Sequence, residues 1–138
     1  MPYRVALDNM RSAFNVGSII RVIDAVGFES VLLSASTPGK ENGQVKKTAM
    51  TCTEWIPLRK YENLAPALIR AKEDDYSIIG IETIPSSSSY TKYPWSKKGI
   101  LVVGNEEYGI SEDVMKACDG FVHLPMSVSY THLRAHET

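Results

Sequence analysis

Two rhythms of apolar residues alternate along this chain. Val5-Ala6-Leu7 is a short apolar run stopped by Asp8-Asn9, a turn signal. Between Asn15 and Gly27, the residues Val16, Ile19, Ile20, Ile23 and Val26 recur at helical spacing. That predicts a helix with one face turned inward, Asn15 as its N-cap and Gly27 as its C-terminal stop. Ser30 to Leu33 then reads as a buried strand, and Thr37 to Asn42 as a polar loop. A short helix is predicted over Val45 to Thr51, with a short strand near Trp55-Ile56. Leu64 to Lys72 is a helix capped by Asn63, and it tolerates Pro66 because that residue falls in the first turn. Tyr76 to Ile81 is a strand, Pro85 to Tyr90 a loop, and Ile100 to Val103 the most apolar strand. Ser111 caps a helix carrying Glu112 and Asp113 in its first turn, where the helix dipole favours anions. Phe121 to Leu124 is the last strand.

Short apolar strands separated by helices imply an α/β fold, with a mostly parallel sheet covered by helices on both faces. The chain has 138 residues, 43% hydrophobic and 22% charged, which suits one domain with a real core. No run reaches the length of a membrane helix, and Met1-Pro2-Tyr3-Arg4 has no signal-peptide character. Cys52 and Cys118 match no metal spacing and read as two reduced thiols of a cytoplasmic protein. The segment 127–138 shows no sustained period. His132 and His136 stand there at i,i+4, a spacing that can hold a metal on a helix, but no third ligand is evident.

The net charge of −1 announces no polyanion partner, but its distribution is uneven. Residues 1–72 carry ten Lys/Arg and six Asp/Glu, a net +4, whereas residues 73–138 carry five and ten, a net −5. The basic half can meet a polyanion; chance and solvated surface account for the same numbers.

Three constellations carry chemistry. Asn15-x-Gly17-x-x-x-Arg21 places an amide, a close-approach glycine and a guanidinium near a helix start, a set able to grip phosphate. The same residues also describe a helix start with a surface arginine. Gly104-Asn105-Glu106-Glu107-Tyr108-Gly109 follows a strand directly, where open α/β sheets place ligands. It is neither a P-loop nor a G-x-G-x-x-G fingerprint. Its two carboxylates suit a cationic centre better than a phosphate; an ordinary strand-to-helix turn reads equally well. Leu124-Pro125-Met126 ends the last strand, and its proline stops ladder pairing.

Together these segments resemble the SpoU/TrmH family of SPOUT RNA methyltransferases. LDNMRSAFNVGSIIRVIDAVGF (7–28) looks like the family's first motif, LVVGNEEYGIS (101–111) its second and HLPM (123–126) the opening of its third. The similarity covers roughly residues 3–126, and residues 1–126 are taken as the methyltransferase domain. The family's third motif continues with a glycine and Ser-Leu-Asn-Val-Ser; here residues 127–138 form a tail that departs from it. The resemblance implies a SPOUT-type α/β fold with a C-terminal trefoil knot, a cytoplasmic homodimer, and transfer of a methyl group from S-adenosylmethionine to a ribose 2′-hydroxyl of tRNA or rRNA, without metal. It further implies Arg21, Asn15 and Glu106 as catalytic residues, with Glu106 fixing Arg21 by a charged pair. Thr83, Gly104, Asn105, Gly109, Leu124, Pro125 and Met126 would hold the cofactor. Arg11, Lys46, Lys47 and Arg59 would meet RNA. Two other readings stay open: a catalytically inactive RNA-binding or dimerisation module of the same fold, and a flavodoxin-like nucleotide binder.

Overall fold

The computed structural model describes residues 1–124. Its elements run β1 (Tyr3–Leu7), α1 (Ala13–Val26), β2 (Ser30–Ser34), α2 (Gly43–Ala49), a 3-10 turn (Cys52–Glu54), β3 (Leu58–Tyr61), α3 (Leu64–Glu73), β4 (Ser77–Ile81), β5 (Ser88–Ser89), β6 (Gly99–Val103), α4 (Glu112–Ala117) and β7 (Gly120–His123). The seven strands form one sheet in the order β3-β2-β1-β6-β4-β7-β5. Every strand pair is parallel.

Parallel strands buried on both faces need apolar residues pointing both ways. Val5, Leu7, Val31 and Leu33 pack with Val16, Ile20 and Val45 beneath α1 and α2. Their neighbours Ala6, Leu32, Ile78 and Ile100 pack with Leu68 and Val114 beneath α3 and α4. The expected architecture, with helices on both faces, is therefore present.

Several boundaries moved, each for a local reason. The first helix begins at Ala13, a turn's half before Asn15, because the Ser12 hydroxyl accepts the Asn15 amide at 3.1 Å. Ser12, not Asn15, is the N-cap; apolar periodicity missed it because Phe14 faces solvent. Gly27 does end the helix, in the left-handed conformation with φ 79°. No strand forms at Trp55-Ile56. Both amides bond back to the Cys52 carbonyl, at 3.2 and 3.0 Å, which closes a 3-10 turn, and pairing starts only after Pro57. The expected loop at 85–90 contains β5, two residues that pair with the edge of β7. Ser111 and Asn63 occupy N-cap positions without a side-chain bond to a helix amide. The Ser111 hydroxyl instead donates to Asp113 Oδ1 at 3.0 Å.

The chain adds β2 and β3 to one side of β1, then crosses to build the other side. The carboxyl ends of β1 and β6, where this reversal falls, are the crevice in which such sheets hold ligands.

Candidate active site

Two loops meet at that crevice. The loop after β6 closes on itself: the Asn105 amide donates to the Gly109 carbonyl and the Gly109 amide to the Asn105 carbonyl, both at 2.9 Å. The Asn105 side-chain oxygen accepts the amides of Glu107 and Tyr108 at 2.8 and 2.9 Å. Glycine is required at both ends. Gly109 has φ 77°, and a Cβ on Gly104 would overlap the backbone of Gly109 and Ile110. The closed loop is then fastened to the loop after β1. Asn105 Nδ2 donates to the Asn9 carbonyl at 2.8 Å, and Glu106 accepts the amides of Arg11 at 3.1 Å and Ser12 at 2.8 Å.

Partial burial pushes the Glu106 carboxyl up. The amides of Arg11 and Ser12 and the side-chain amide of Asn15 outweigh that and hold it below the usual carboxylate range. Asn15 and Glu106 are thus neighbours. Glu106 does not take Arg21 as its partner, because its oxygens are engaged by the backbone donors where α1 begins. That expected ion pair is absent from the described residues.

A cavity of about 670 Å³ lies where the ends of β4, β6 and β7 face α1. Asn15, Ser18 and Ile19 form its helical wall; Thr83, Gly104, Asn105, Glu106, Gly109 and Leu124 line the rest among others. Five of the seven expected cofactor residues therefore border one cavity, and Pro125 and Met126 lie outside the described residues. The volume is that of a small-molecule site. Carboxylates at Glu82, Glu106 and Glu107 border it, so a ligand with a cationic centre fits and a phosphate does not.

Arg21 is exposed and does not line this cavity. It lies on the α1 flank near Cys52. Burial and Asp24 raise the pKa of that thiol, and the charge of Arg21 opposes them. Gly17 serves helix packing: a Cβ there would sit 2.6 Å from Thr48 Cβ and 3.0 Å from the Ala49 nitrogen. The expected RNA contacts do not form one patch. Arg11 stands at the loop junction, and Lys46 and Lys47 are exposed on α2. Arg59 pairs in register with Leu32, which packs beneath α3 and α4, so the sheet separates it from the two lysines.

Pattern reading missed a buried polar knot below the junction. Asp8 is only 3% exposed, and its Oδ2 accepts the Ser111 amide at 2.7 Å, tying the β1 end to the start of α4. Ser34 and Thr37 are buried beside it, 2.8 Å apart, and accept the amides of Asn9 and Met10. Glu82 was also missed, although its place just past a strand's carboxyl end marks it as a candidate; it accepts the Ile110 amide at 3.3 Å. His123 lines the cavity too, held by Ser87 through Nδ1 at 2.8 Å.

Among the described residues no cluster of His, Cys, Asp and Glu could hold a metal, and no helix is long and apolar enough to cross a membrane. His132 and His136 lie outside the described residues.

Comparison with known proteins identifies the family and the fold. The family described as the SpoU rRNA Methylase family matches residues 2–133. A 23S rRNA (guanosine-2′-O-)-methyltransferase, RlmB of Pseudomonas aeruginosa, is 30% identical over 96% of this chain and 53% of its own length. The crystal structure of a TrmH/SpoU tRNA modifying enzyme from A. aeolicus superposes with a TM-score of 0.80 at 25% identity, covering 91% of this chain and 64% of that one. An AdoMet-bound rRNA methyltransferase from Sinorhizobium meliloti shares the fold, with a TM-score of 0.81 at 24% identity over 91% and 48% of the two chains. The chain spans about half the length of the curated relatives it matches.

Proposed function

The chain belongs to the SpoU rRNA methylase family, and from that premise we propose that it methylates a ribose 2′-hydroxyl of tRNA or rRNA with S-adenosylmethionine as donor. The observation that carries this reading is the junction of the β1 and β6 loops. There Asn15 and Glu106 meet at the rim of a cavity bordered by carboxylates and closed by backbone turns.

When bound, S-adenosylmethionine supplies an electrophilic methyl group on a cationic sulfur. Thr83, Gly104, Asn105, Gly109 and Leu124 would hold it, joined by Pro125 and Met126. Glu106 stays ionised at neutral pH and balances the positive centre through space. Such a site works mainly by alignment, and in-line placement of two reacting groups can supply about 7–11 kcal/mol of a barrier. Asn15 borders the same cavity and is suited to orient the ribose through its amide. Arg21 stands outside the cavity, one helical turn past Ser18, and would reach from the α1 flank to hold an RNA phosphate near the target and stabilise the developing alkoxide. It acts as a cation and hydrogen-bond donor and not as a base, because a guanidinium presents donors and no acceptor. Arg11, Lys46 and Lys47 contribute further phosphate contacts, with Arg59 reached only by RNA that wraps the β3 edge.

We assign a cytoplasmic homodimer on the same reading. Phe14, Val22 and Val26 leave apolar surface exposed along α1, and burying it against a second copy would remove that surface from water. A trefoil knot, as the resemblance implies, belongs to the same proposal.

Calorimetric titration with S-adenosylmethionine tests the donor site. Incubation of total tRNA and rRNA with labelled donor, followed by nucleoside mass spectrometry, tests the transfer. Saturable heat and ribose-methylated nucleosides are expected. Loss of both ends the reading; RNA binding without donor heat would instead favour an inactive RNA-binding module.

A further inference from the structure

Tyr108 is 82% exposed, the highest value among the large apolar side chains described, yet its backbone is among the best fastened. Its amide donates to Asn105 Oδ1, the loop that carries it is closed by the paired Asn105 and Gly109 bonds, and Asn105 is anchored to the β1 loop. An aromatic ring on a pinned turn loses little freedom when something covers it. Nothing in the core explains it, since it packs in none of the apolar clusters.

Beside it lies a second cavity of about 500 Å³. The Gly104–Gly109 loop is its shared wall with the first, and it opens toward Asn9, Arg11, Ser36 and Tyr108. Its lining combines the Tyr108 ring, the Arg11 guanidinium, the hydroxyls of Ser36 and Ser111, the amides of Asn9 and Asn105 and the carboxylates of Glu106 and Glu107. Asn9 Oδ1 accepts from the Ser36 hydroxyl, which engages the acceptor end of that amide and leaves its donor end without a side-chain partner among the hydrogen bonds of the described residues. The carboxylates disfavour a bare phosphate, and the polar lining disfavours an apolar peptide. A flat ring with polar edges matches an aromatic side chain flanked by polar groups. Single-stranded RNA is recognised in this way, through unstacked bases laid on aromatic side chains and hydrogen-bonded at their edges.

We propose that this second cavity takes a nucleobase of the RNA substrate, stacked on Tyr108 with Asn9 and Ser36 at its edge, so that the loop between the cavities separates donor from base. The inference rests on the RNA-methylation reading and adds a subsite to it. The ring is a positioning group and does not touch the reacting atoms.

The test uses the full chain and a short single-stranded oligoribonucleotide bearing one 2-aminopurine, whose fluorescence is quenched on stacking. Calorimetry with S-adenosylmethionine runs on the same samples. Saturable quenching is expected, weakened about tenfold or more in Tyr108→Ala and retained in Tyr108→Phe, with donor heat unchanged in both. Quenching that is absent, or equal in Tyr108→Ala, overturns the subsite; intact donor heat then leaves the methyltransferase reading standing. Loss of donor heat with Tyr108-dependent quenching does the reverse. A Tyr108→Ala chain that sediments as a smaller species than wild type would make Tyr108 an interface residue and also overturn the subsite.

Discussion

Glu106 concentrates the residue-scale argument. It is an exposed side chain whose charge has a fixed address, because the amides of Arg11 and Ser12 converge on it and Asn15 adds a third donor. Its folded-state pKa lies below the ordinary carboxylate value of 4.5. The stabilisation it gives the loop junction is therefore complete above that value and is lost as pH falls through the lowered one. Donor binding should accordingly be flat between pH 8 and pH 5 and weaken only in more acidic buffer. Glu106→Gln keeps the shape and removes the charge. It should lower donor affinity by about tenfold at pH 7, since hydrogen bonds to a charged acceptor are roughly twice as strong as neutral ones. Titration of both proteins across pH measures this, and an unchanged affinity in the variant would show that the carboxylate serves only the loop. The sequence marked Glu106 by its place after a strand. It could not show that Arg11 and Ser12 are the partners, because those contacts join residues about ninety-five positions apart.

At the scale of elements, the closeness of α1 and α2 decides where the helical wall of the cavity stands. Gly17 is fully packed against Thr48 and Ala49, so no side chain fits between the helices. Gly17→Val must push them apart. Overpacking of this kind costs about 1–3 kcal/mol, which predicts a fall of several degrees in melting temperature by calorimetry. The shift would also move Asn15 and Ser18 relative to the β6 loop, so donor affinity should fall with it. A variant that melts like wild type would refute the packing role. Periodicity correctly announced α1, β2, α3, β4 and β6, because long apolar patterns report burial directly. It failed at Trp55-Ile56 and at β5. The backbone amides at the first close a tight turn, and the two residues of the second pair only because β7 offers an edge.

For the whole molecule, the unexplained surface is the solvent face of α1. Phe14 is 60% exposed, Val22 58% and Val26 46%, along the helix that also supplies Asn15 and carries Arg21. If a second copy covers it, Val22→Asp places a charge in an apolar interface and should shift the sedimenting species from dimer to monomer at micromolar concentration, with RNA methylation falling alongside. A dimer that survives would move the interface elsewhere. The sequence by itself determined the α/β class, the alternation of strands and helices, and the three motif segments, because burial pattern and turn chemistry are local properties. Only the tertiary structure decided the strand order, the partners of Glu106, the burial of Asp8 and the separation of Arg59 from Lys46 and Lys47. Each of those depends on which distant strands become neighbours in a parallel sheet, and that is a property of crossover connections that no local pattern encodes.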